Sequence, residues 1–163
     1  MWRIPLAVLF LVSTPLFASQ PLGLREDRAR GMRWELSWGS VAAYDIASGT
    51  RLRVVPLEGA NQSGAIESCV PDMLLGRTGA LIVSSNAQPV LWRVSPARFE
   101  VERLDIELDS DGDKDFGFTS LAWGENERVL YAGANTGTVW RIDLATATGR
   151  KVATGTVQVC VIP

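Results

Sequence analysis

Three short segments of one type recur at nearly constant spacing, and that period limits what the chain can fold into. They are Val41-Ala42-Ala43-Tyr44-Asp45, Leu91-Trp92-Arg93-Val94-Ser95 and Val139-Trp140-Arg141-Ile142-Asp143. From Val41 to Leu91 to Val139 the steps are 50 and 48 residues. Each segment follows an apolar, β-rich run (34–38, 80–84 and 129–133) and precedes another (51–57, 99–108 and 150–154). Side chains alternate in the way half-buried strands require. Trp34, Leu36 and Trp38 share one face, and Arg51 and Arg53 oppose Leu52 and Val54. The turns fit hairpins, with Gly49 and Gly149 placed where a positive φ is expected.

A further short strand is expected to open the second unit at 66–70 and the third at 118–123. The first unit shows none, since its N-terminal neighbour, 25–33, is polar and rich in arginine. The last residues, 156–162, repeat the Cys-Val-Pro character of 69–71 and read as the missing first strand of unit one. The expected fold is therefore all-β, with about three four-stranded antiparallel units (33–58, 66–108 and 117–155) and a closing strand at 156–162. Four strands per unit of about 40–50 residues is the blade of a β-propeller.

The hairpins at 39–49 and 137–149 resemble the blade hairpins of YVTN-type and quinoprotein-like (WD40-like) propellers: a strand ending in tyrosine or isoleucine, then aspartate, then a turn with threonine and glycine. The middle unit departs from the pattern at Val94-Ser95-Pro96. Closed propellers usually need about four to eight blades. The resemblance therefore implies an incomplete or self-closing ring, chains that associate to complete one, or a shortened relative of a longer propeller. Exposed blade edges favour self-association.

The N-terminus has the order of a secretory signal over residues 1–18: Arg3, an apolar stretch from Ile4, then smaller and more polar residues up to Ala18. The stretch is shorter than the ~20 residues of a membrane span, and no later segment could cross a bilayer. The mature chain is expected to start near Ser19, with a polar segment at 19–32 before the repeat domain at 33–163. Export to the periplasm or beyond the cell follows from this reading. Cys69 and Cys160 fit no metal spacing; they read as two small buried residues, or as a disulfide in an exported protein.

Composition excludes several functions. A net charge of −2 without any basic run argues against nucleic acid as a partner. The chain has no histidine, which removes the commonest general base and the commonest metal ligand. No catalytic constellation and no phosphate loop are legible. Asp45 and Asp143 precede turns, where aspartate usually bonds the turn's own amides. The sharpest local signal is acidic. Glu107, Asp109, Asp111, Asp113 and Asp115 surround Gly112, and with Glu107 first they resemble the calcium loops of integrin-type propellers. Ca2+ is the one cofactor this suggests. Lys114 and the replacement of the first aspartate by Glu107 depart from that pattern. Trp92 and Trp140 hold equivalent places in successive units. They are read as packing between blades, with a glycan-stacking platform as the other reading. The function expected is that of an exported, non-catalytic binding or scaffold protein whose partner is another protein or itself. A lectin-like module is the first alternative, and a truncated relative of a propeller hydrolase or quinone-dependent dehydrogenase is the second.

Overall fold

A computed structural model describes residues 20–60, 69–109 and 117–154. They form three antiparallel sheets in chain order. The first is β1 (Gly23–Asp27), β2 (Met32–Ser37), β3 (Ser40–Asp45) and β4 (Arg51–Pro56), with a single 3₁₀ turn at Arg28–Arg30. The second is β5 (Met73–Leu75), β6 (Leu81–Ser84), β7 (Val90–Val94) and β8 (Val101–Asp105). A two-residue strand, β9 (Glu107–Leu108), leads to the third: β10 (Phe118–Trp123), β11 (Val129–Ala134), β12 (Thr138–Asp143) and β13 (Thr148–Thr154). The three repeated segments are the third strands β3, β7 and β12, as their spacing requires. The inner strand β5 touches both β1 and β10. The sheets thus stack as three propeller-type blades fanning from a common axis, in an open arc.

The middle blade shows why the arc holds together. On β6 and β7 the alternating side chains are apolar on both faces. Leu81, Val83, Val90, Trp92 and Val94 join one core with Trp34, Leu36, Val41 and Val55 of blade one. Ile82 and Leu91 join a second core with Phe118, Leu130, Trp140 and Ile142 of blade three. A sheet buried on both faces reads as a continuous apolar run rather than a clean alternation, which is what Leu81-Ile82-Val83 and Val90-Leu91-Trp92 are. Each fully buried tryptophan or leucine contributes about 2–3 kcal/mol, so these two cores are the main source of stability.

Four expectations need correction. Blade one has its own opening strand: β1 lies inside the segment read as polar, and all five of its residues pair with β2. An inner strand borders the axis and needs no apolar alternation, so Gly-Leu-Arg-Glu-Asp suffices. Since β2 is paired on both sides, by β1 and β3, no further strand can pair beside Trp34. The place reserved for 156–162 is therefore filled; that segment itself lies outside the described residues. Blade two opens at Met73–Leu75 rather than at 66–70. Cys69 and Val70 are not in a strand, and 66–68 lie outside the described residues. Pro71, with no N–H to give a ladder, separates the two regions. The single run read at 99–108 is broken after Asp105, and β9 crosses to blade three, where it pairs in parallel with the edge of β13.

Local details also differ. Trp38 leaves the Trp34–Leu36 face because Trp38-Gly39 is the turn between β2 and β3, with Gly39 at φ 74°; the ring is exposed. On β4, Val55 pairs with Val41 and points into the core, Val54 alternates to the opposite face beside Ala42, and Leu52 is the extra residue of a bulge opposite Ala43 and Tyr44. The left-handed residue of the β12–β13 turn is Ala147 (φ 52°), not Gly149. Gly149 instead makes room: a Cβ there would sit 2.6 Å from the Leu108 side chain on β9.

Candidate functional site

Antiparallel order places the β4–β5 and β8–β10 connections at the same end of the arc as the turns between second and third strands. Polar side chains are buried at that end, around Asp72. The Asp72 carboxylate accepts the Met73 N–H (2.8 Å) and the Leu121 N–H (2.9 Å), and it holds the Arg25 guanidinium at 3.1 Å. Its backbone exchanges bonds with Ser84: the Asp72 N–H donates to the Ser84 hydroxyl (2.8 Å), and the Ser84 N–H donates to the Asp72 carbonyl (2.9 Å). One residue thus ties β1, β6 and β10 to the start of β5. The sequence reading missed it because an aspartate after a proline looks like any other loop acid.

The same end is closed further by the turn after β6. Ser85 and Asn86 are buried. The Ser85 carbonyl accepts the Phe118 N–H at 2.7 Å, and the Asn86 amide donates to the Cys69 carbonyl. Gly117, at φ 140°, passes directly over this turn, where a Cβ would overlap the Ser85 carbonyl oxygen. Cys69 is buried and disulfide-bonded; Cys160 lies outside the described residues. These polar groups are engaged in joining blades.

The residues singled out earlier fall in different places. Trp92 and Trp140 occupy equivalent positions on β7 and β12, each facing the preceding blade. They are 1% and 0% exposed, so neither ring has a face to offer a sugar, and the glycan-stacking expectation is corrected on that ground. Glu107 is exposed on β9. The Asp109 carboxylate accepts the Lys151 N–H at 3.0 Å and lies 3.8 Å from Arg150. Asp109 therefore anchors the start of the acidic segment to β13. Asp111, Asp113 and Asp115 lie outside the described residues.

Asp45 and Asp143 behave as turn residues. Asp45 accepts the Ser48 hydroxyl and N–H, each at 2.7 Å, and these bonds lower its pKa below the usual carboxylate value. Asp143 is lowered chiefly by the Ala145 N–H and further by Arg128. The middle blade keeps the same turn without the aspartate. The Phe99 N–H donates to the Ser95 carbonyl as the Gly49 N–H does to Asp45 (2.9 Å in both), and Phe99 adopts φ 57°. Its ring packs edge-on against Trp34, with centroids 5.9 Å apart.

Most of the exposed large apolar side chains lie on the two end blades, Val70 and Val101 being exposed elsewhere. Leu24, Trp38, Ile46, Leu52 and Val54 are exposed on blade one, and Tyr131 and Val152 on blade three.

No protein-family model and no curated protein sequence matches the chain. Among solved structures it is similar to virginiamycin B lyase from Staphylococcus aureus, with 17% identity and a TM-score of 0.58 over 85% of this chain and 42% of that one. It is also similar to the extracellular domain of a hybrid two-component system protein from B. thetaiotaomicron (15%, TM-score 0.55, 82% of this chain and 16% of that one). A third is Myxococcus xanthus glutaminyl cyclase (18%, TM-score 0.50, 79% and 50%). The chain spans half or less of each of these proteins. The likeness establishes a propeller-type fold.

Proposed function

We propose that this chain is an exported, non-catalytic binding protein: a rigid three-blade frame that presents its end blades to a protein partner or to another copy of itself. One observation carries the reading. Five large apolar side chains, Leu24, Trp38, Ile46, Leu52 and Val54, stand exposed on a single blade, and surface of that kind marks interaction sites. The engagement of Asp72, Ser85 and Asn86 in holding blades, and of Asp45 and Asp143 in their own turns, supports a frame rather than a reaction centre. The signal-like residues 1–18 support export, and so does the disulfide at Cys69, a bond that persists in oxidising compartments.

The test is site-specific photocross-linking in intact cells of an exporting host, with the cross-linker at Leu52, at Trp38 and, as a control, at Arg98. Adducts from the first two positions and none from the third are expected, together with a mature N-terminus near Ser19. Absence of any adduct from Leu52 and Trp38 would refute the binding role, and retention of the chain in the cytoplasm would refute export.

A further inference from the structure

Within the arc, each blade packs its trailing face on the leading face of the next. Cross-strand register identifies equivalent positions. On leading faces, Leu24, Glu35 and Ala42 of blade one form the row that is Met73, Val83 and Trp92 in blade two and Leu121, Ala132 and Trp140 in blade three. On trailing faces, Ala122, Tyr131, Arg141 and Arg150 of blade three form the row that is Leu74, Ile82, Arg93 and Glu102 in blade two. Two faces have no neighbouring blade among the described residues: the leading face of blade one and the trailing face of blade three.

The equivalences show what those faces lack. Leu24 is 44% exposed where Met73 is 1% and Leu121 is 9%; Tyr131 is 37% exposed where Ile82 is 1%. Arg93 makes two contacts: it pairs with Glu102 at 2.8 Å across its own sheet, and it reaches into blade three to donate to the Leu144 carbonyl at 3.4 Å. Arg141 has neither. Its cross-strand neighbour is Arg150, also a cation, and among the described residues no blade lies beyond it to supply a carbonyl. The counterpart of Leu144 on blade one is Ile46, which is exposed. Arg141 and Arg150 are adjacent cations on blade three, Arg150 lying 3.8 Å from Asp109. The leading face of blade one carries Glu26 and Glu35, which pair within their own blade with Arg28 at 3.0 Å and Arg33 at 2.9 Å, Arg33 also lying 5.1 Å from the centre of the Tyr44 ring. A carboxylate has acceptor sites for a second guanidinium beside the first.

We infer that the trailing face of blade three docks on the leading face of blade one of a second copy, with Arg141 directed at the Ile46 carbonyl and at Glu35. This deepens the binding role proposed above by naming its partner. The contact is head-to-tail, and made twice about a two-fold axis it closes. Two arcs of three blades make six, within the ~4–8 of closed propellers. The share of virginiamycin B lyase that the chain spans, 42%, also leaves room in a ring of that kind for a second arc.

The test measures the mass of the mature chain by sedimentation equilibrium from low to high micromolar concentration. A two-chain species is expected. Arg141→Glu should weaken it about tenfold or more, and Arg141→Glu combined with Glu35→Arg should recover most of the loss. Circular dichroism verifies that each variant is folded. A photocross-linker at Tyr131, exposed on the same face beside Arg141, should capture blade one of the other copy. A single-chain mass at every concentration would overturn the inference and assign Arg33 and Glu35 the role of a charged cap that ends the arc. Adducts from Tyr131 to β12 or β13 of the second copy would overturn head-to-tail docking in favour of a face-to-face pair. Adducts at Leu52 or Trp38 with a different protein, alongside a single-chain mass, would sink this inference and leave the binding role standing.

Discussion

Replacing Asp72 by alanine should loosen all three blades at once. The carboxylate is the acceptor for two backbone N–H groups, those of Met73 and Leu121, and for the Arg25 guanidinium. Hydrogen bonds to a charged acceptor are worth about 1.5–3 kcal/mol each. The Arg25 pair, 40% and 26% exposed, adds at most about 0.5 kcal/mol after solvent screening. The sum for Asp72→Ala is about 3–6 kcal/mol, a large part of the ~5–15 kcal/mol by which a domain is stable. At a few degrees per kcal/mol, the Tm should fall by roughly 10–15 °C. Asp72→Asn keeps one acceptor oxygen and should lose about half as much. Thermal and urea unfolding followed by circular dichroism give the stabilities. Amide hydrogen exchange gives the local readout, since the Leu121 N–H should exchange faster in Asp72→Ala relative to amides in the middle of β7. A loss below about 1 kcal/mol, or an unchanged Leu121 exchange rate, would refute the view that this carboxylate joins the blades.

Other outcomes follow from the same geometry. Ala147→Gly should raise stability by about 0.5–1 kcal/mol in urea unfolding, because the left-handed residue of that turn gains a backbone that tolerates it. Phe99→Gly relieves similar strain but deletes the ring packed on Trp34, so it should lower stability by about 1–3 kcal/mol in the same experiment. Trp140→Ala should cost about 3–5 kcal/mol and Trp38→Ala under about 1 kcal/mol, measured as Tm and urea midpoint, since only the first leaves a cavity between sheets. Asp45 and Asp143 have folded pKa values below their unfolded ones. Their contribution is therefore complete above the unfolded value, near pH 4, and is lost as pH falls through the depressed folded value. Urea midpoints across roughly pH 2–6 should fall on the acid side, and Asp45→Asn should flatten part of that slope.

The parts of the fold legible in the sequence are those where burial imposes a pattern. The third strands were readable because Val41, Leu91 and Val139 sit in the cores or, at the end blade, in the equivalent position, and because Asp45 and Asp143 stabilise the following turn. The inner strands were not. β1 borders the axis, carries two charges in its middle, and offers no apolar alternation, while β5 has only three residues after Pro71. Glycine was a partial guide: Gly49 takes the left-handed position, but in the other turns Phe99 and Ala147 accept it, and Gly149 is small because β9 crosses there. Asp72 gave no local signal, since its role depends on Arg25 and Leu121, each almost fifty residues away.

Periodicity alone states which face of a strand points towards a neighbour, but not whether the neighbour exists. Trp92, Trp140 and Ala42 are equivalent, yet only the first two meet another blade among the described residues. The informative signal is the place where a repeat position changes character. Leu81 and Leu130 become Arg33; Val83 and Ala132 become Glu35; the acid at Glu102 becomes a base at Arg150. Arg33 and Glu35 pair with each other at 2.9 Å, so an apolar blade laid over them would bury an ion pair, whose desolvation costs several kcal/mol unless the covering surface brings further polar partners. Whatever meets blade one must therefore bring charge with it. Arg141, deprived of the acid that neutralises Arg93, is the cation that the trailing face of blade three offers, and the charge-reversal pair at positions 35 and 141 is the measurement on which that complementarity stands or falls.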